Sequence, residues 1–152
     1  MKRKALIAGI MAGVLSLVLL AGCGSSKTSV KDDLINYDKQ CAQFVSDTKE
    51  LQSLKDPKEM ASKLDELATK IKAVDVKTSE VQDIHKLLVD GYTNLASGFG
   101  DIAKASENMD LALANSGQDK VAKSQKTLEE FMSKAQDLAK KEGLSLTMNS
   151  LN

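Results

Sequence analysis

Tryptophan is missing from this chain, and its other aromatics amount to three phenylalanines and two tyrosines in 152 residues. Proline occurs once (Pro57), histidine once (His85), arginine once (Arg3) and cysteine twice (Cys23 and Cys41). Each scarcity excludes something. A single imidazole, with Val81, Gln82, Leu88 and Val89 at helical spacing around it, cannot build the two-histidine metal pair of an H-E-x-x-H site. Calcium loops, Walker sequences, G-x-S-x-G and G-x-G-x-x-G patterns in the right context are also missing. No metal, no cofactor and no catalytic residue is therefore expected, and the protein is read as non-enzymatic. Without arginine beyond position 3 the chain lacks the planar fork suited to phosphate and guanine, so nucleic acid is not an expected partner. No segment alternates apolar and polar residues with period two, which argues against strands.

What is there begins with charge and greasiness at the N-terminus. Lys2, Arg3 and Lys4 precede an uncharged apolar run from Ala5 to Leu20. That is the layout of a secretory signal, and the run is a little short for a mature span, which needs roughly 20 residues. The run ends in Leu20-Ala21-Gly22-Cys23. This quartet resembles the lipobox of bacterial lipoproteins. The resemblance implies cleavage before Cys23, a diacylglyceryl group on its sulfur, and a mature protein held by lipid on the extracytoplasmic face of the cell membrane. Residues 1–22 are then signal peptide, and the small polar stretch at 23–29 is a lipidated tether. Loss of the three basic residues of the signal leaves 18 lysines against 21 acids, a mildly acidic mature chain. Cys41 is then the only remaining unmodified thiol and cannot form an internal disulfide.

From Val30 onward apolar residues recur at steps of three and four. The first stripe is Val30, Leu34, Tyr37, Cys41, Phe44, Thr48 and Leu51. It stops at Asp56-Pro57, where Asp56 can cap a new helix, Pro57 suits its first position and Glu59 follows as in a capping box. A second stripe runs from Met60 to Val74, and Thr78 or Ser79 should cap the third helix. The third stripe runs from Val81 to Ala112, with Asn115-Ser116-Gly117 as its stop. The fourth runs from Val121 to Leu138 and closes at Gly143. The fold expected is all-α, an antiparallel bundle of three to four helices over 30–143, followed by a polar tail at 144–152. The mature part also resembles small helical lipoproteins of Gram-positive bacteria, in which a segment like Asp83-Ile84-His85-Lys86-Leu87-Leu88 precedes a long helix; that likeness designates no site.

Gly91, Gly98 and Gly100 crowd into ten residues of the third helix. Each glycine in a helix interior costs about 0.5–1 kcal/mol relative to alanine. Two readings explain them. The first is close approach of a neighbouring helix, or a kink near Phe99. The second is a cavity for an apolar ligand at Gly91, Leu95, Gly98 and Phe99. Cys41, between Tyr37 and Phe44 on the stripe, is expected to be a small core residue. His85 is expected at the edge of its stripe. The acids, among them Asp32, Asp33, Asp65, Glu66, Glu129 and Glu130, alternate with lysines as a solvated surface does. These features point to a lipid-anchored binding module whose partner is an envelope protein, a peptide or the wall polymer; the alternative is a carrier of a small apolar ligand.

Overall fold

The computed structural model describes residues 28–144, and every regular element in that span is an α-helix. The signal peptide, Cys23 and residues 145–152 lie outside the described residues. In chain order the helices are α1 (Val30–Ala42), α2 (Val45–Ser53), α3 (Pro57–Lys72), α4 (Ser79–Asn108) and α5 (Leu111–Lys141). They form an antiparallel bundle in which α1 and α2 together make the first arm.

The first apolar stripe does not give one unbroken helix. At Gln43 and Phe44 the chain tightens to short-range bonds, from Gln43 N–H to the Gln40 carbonyl and from Phe44 N–H to that of Cys41. Such 3₁₀-type tightening ends α1 while Cys41 and Phe44 both stay in the core. Asp56 begins α3 as its sequence suggests, with Pro57 at the first helical position. Its carboxylate accepts from the backbone of Lys58 at 2.7 Å and of Glu59 at 3.4 Å. Gly143 ends α5 at φ 67°. Leu144 N–H returns to the Ala139 carbonyl at 2.8 Å. The helix is thus closed by a left-handed residue where glycine costs least.

The boundary between the last two helices departs from expectation. Asn115-Ser116-Gly117 is no stop: α4 ends at Asn108, and all three residues lie within α5. The turn consists of Met109, left-handed at φ 54°, and Asp110, whose carboxylate accepts from Leu113 N–H at 3.0 Å. Local preference lost to a tertiary contact here, because Gly117 is the residue on which α4 crosses α5. A Cβ built on Gly117 would stand 2.7 Å from the Gly98 carbonyl oxygen, and one on Gly98 would stand 2.8 Å from that of Gly117. Only a pair without side chains lets the two backbones come this close.

Buried aliphatic and aromatic residues from every helix fill the bundle, among them Tyr37, Leu51, Leu64, Ile71, Leu88, Tyr92 and Phe131. Ser124 is fully buried on α5 and donates its hydroxyl to the Gly91 carbonyl at 2.7 Å. Asp33 corrects the surface reading of the acids. It is 1% exposed, and its carboxylate accepts from Lys77 N–H, Thr78 N–H and the Thr78 hydroxyl at 2.7–3.1 Å. Two turns along α1, Gln40 donates to the Asp75 carbonyl and accepts from Asp75 N–H. Backbone groups of Asp75, Lys77 and Thr78 in the α3–α4 connection are thus bound to α1 by two side chains. Thr78 begins α4 without a side-chain cap because its hydroxyl is given to Asp33.

The pairing of Gly91 with Ser124 and of Gly98 with Gly117 makes α4 and α5 antiparallel. Consequently the start of α1, the 73–78 connection and the end of α5 share one end of the bundle. The α2–α3 and α4–α5 turns share the other, where Lys58 meets Glu107. Among the described residues no helix is long and apolar enough to cross a membrane.

Candidate functional site

The four residues expected to line a ligand cavity do not come together around one. The room beside Gly91 is occupied by Leu128, whose side-chain atoms stand 2.5 and 2.7 Å from where a Cβ would be. The room beside Gly98 is occupied by the Gly117 backbone and Val121. Leu95 is buried in the continuous core, and only Phe99 of the four reaches an opening. Gly91 and Gly98 therefore admit a neighbouring helix and leave no void. At Gly100 a Cβ would meet no atom within 4 Å, so no neighbour explains that glycine.

The opening that Phe99 reaches is a groove of about 730 Å³ in the half of the bundle away from the start of α1. Leu51 and Leu54 of the first arm, with Pro57 and Met60 at the head of α3, supply one side. Val121 and Ala122 of α5 supply another, and Phe99 and Ile102 come from α4. Leu54, Met60, Phe99 and Val121 pack against the core while staying partly exposed. The cause is geometric. α2 ends at Ser53 and the chain turns at Leu54–Asp56, while α4 and α5 continue past that turn toward their own at Met109–Asp110. The long pair is left with an apolar flank that the short arm covers only in part.

Polar groups border that apolar surface: Lys55 and Asp56 on the α2–α3 turn, and Gln118, Asp119 and Gln125 on α5. Asp56 is engaged in capping α3. Among the described residues, Lys55, Gln118, Asp119 and Gln125 make no side-chain hydrogen bond or ion pair. A neighbour does: Lys120 holds Asp101 at 2.6 Å and Ser97 at 3.0 Å. Sequence reasoning missed this groove because its walls come from segments far apart in the chain, from Leu51 to Gln125. The legible signal was the mismatch in helix length.

A second cluster of chemistry-bearing side chains lies inside the bundle at the other end. The Tyr37 ring meets His85 edge-on, with centroids 5.6 Å apart and planes at 87°. Cys41 follows one turn after Tyr37 and is 2% exposed. Burial pushes the Cys41 thiol up to about 12 and raises the Tyr37 and Tyr92 hydroxyls well above their ordinary range, with the Cys41 thiol adding to both. A thiol so rarely ionised is a poor nucleophile and a poor metal ligand. Burial also holds His85 below its ordinary value of 6.5. Among the described residues, no three His, Cys, Asp or Glu side chains are grouped to hold a metal ion. This cluster is core with a histidine at its edge, as the stripe positions imply.

No protein-family model, no curated protein and no solved structure matches this chain. Fold and site together define an antiparallel helical bundle with a partly covered apolar groove at one end.

Proposed function

We propose that this protein is a lipid-anchored extracytoplasmic lipoprotein whose bundle is a non-enzymatic binding module, with the groove as its recognition surface. The lipobox-like Leu20-Ala21-Gly22-Cys23 supports the anchor. One observation carries the recognition reading: the groove lies toward the end of the bundle opposite the start of α1. A lipid on Cys23, a short polar stretch before the Ser29 cap of α1, would hold that end near the membrane and present the groove to the envelope. Palmitate labelling that is lost with Cys23→Ala tests the anchor. Photo-crosslinkers at Gln118 and at Asp83 in living cells test the surface. A recurrent envelope partner captured from Gln118, and not from the remote Asp83, is the expected result; equal yields from both positions would remove the groove from the proposal.

The alternative, a carrier of a small apolar ligand, moves from the glycines to this groove. Its volume is in the range of ordinary small-molecule sites. Its opening to solvent and its several polar borders favour the partner protein.

A further inference from the structure

The groove's chemistry narrows what can occupy it, on the reading that the bundle is a binding module. Helices and the three-residue α2–α3 turn supply its lining, and no strand borders it. A strand laid in the groove would find no exposed sheet edge with which to pair. A peptide in the groove gains no backbone ladder from it, which favours one that satisfies its own backbone, as a helix does. The floor contributed by Leu54, Met60, Phe99 and Val121 offers apolar contact alone. Around it stand an ammonium and a carboxylate from different elements, Lys55 and Asp119, which do not pair with each other or, among the described residues, with any other charge. A lipid whose headgroup carries one sign of charge would complement one of them and leave the other unmatched. A peptide with an acid on one edge and a base on the other complements both.

We infer that the groove binds an amphipathic helical segment of a partner protein, with large apolar side chains at i, i+3, i+4 and i+7 on one face and oppositely charged residues along its two edges. The apolar face covers Phe99 and Val121, and the edges reach Lys55 and Asp119. Because a helix can enter in either direction, the complement is the presence of both signs and not their order.

The test uses the full chain in phosphatidylcholine vesicles and three fluorescent helical peptides of about four turns sharing one leucine face. Their edges carry Glu and Lys, Glu and Glu, or Lys and Lys, and anisotropy is read against protein-free vesicles. The mixed peptide should bind saturably and about fivefold tighter than either single-sign peptide. Lys55→Glu should transfer the preference to the Lys/Lys peptide, and Asp119→Lys to the Glu/Glu peptide. Both are surface changes, and unchanged helical circular dichroism shows that the fold is kept. Equal affinities for the three peptides, or none, would overturn the inference. If no peptide binds while Gln118 still captures its partner in cells, the module reading stands and the helical ligand does not. If laurate alone binds saturably, both give way to the carrier.

Discussion

The two ends of this bundle are built by opposite means. Near the start of α1, large side chains fill the space, with Tyr37, Val81, Leu88 and Phe131 all but inaccessible and Asp33 and Gln40 binding the α3–α4 connection. Toward the α4–α5 turn, the missing side chains of Gly98 and Gly117 bring two backbones together, and the flank beside them stays partly open. The first end is sealed by volume and hydrogen bonds; the second is held by proximity. The proposed recognition surface lies at the second, where Leu54, Met60, Phe99 and Val121 face one shared groove.

Substitution at the crossing should produce the largest effect. Gly98→Val places its Cβ on the Gly117 carbonyl, which is backbone and cannot swing away. About 3 kcal/mol of stability should then be lost in urea unfolding. Gly100 lies two residues on and faces open space. Gly100→Ala should therefore add about 0.5–1 kcal/mol through helix propensity. A comparable loss in both variants would deny the crossing its role. At the sealed end, Asp33→Ala leaves the Lys77 and Thr78 amides without their acceptor. Loss of the acceptor for these part-buried donors should cost about 1–2 kcal/mol. Faster hydrogen exchange at 75–78, with the α4–α5 crossing unchanged, would show that the two ends are held separately.

The smallest effect concerns acid. His85 has its folded pKa below the unfolded value, so the unfolded chain binds the proton more readily. Its contribution is complete above the unfolded value of 6.5 and is lost as pH falls through the depressed folded value. His85→Gln should flatten the stability profile in that window. A wild-type profile already flat there would count against the burial of this imidazole.

Much of this was legible before any tertiary information. Asp56-Pro57 marked the start of α3 because a cap and a preset φ act within one turn of the chain. The stripe through Leu34, Tyr37 and Cys41 announced its burial because period alone determines which side of a helix is apolar. Asp33 could not be read in the same way, since an acid beside another acid looks solvated until a loop 44 residues later brings its amides to it. Gly117 misled for a related reason. Its neighbours Asn115 and Ser116 favour a stop, and only α4 supplies the carbonyl that requires a glycine in mid-helix.

By itself, then, the sequence determined the helical class, the cap at Asp56 and the sides on which the core forms, because each depends on spacing within a few residues. Tertiary structure alone decided that Gly91 and Gly98 admit a helix and leave no cavity, that α4 and α5 part at Met109–Asp110, and that the opening lies between the first arm and α5. Those outcomes depend on which backbones meet across the bundle, and periodicity carries no record of distance between helices.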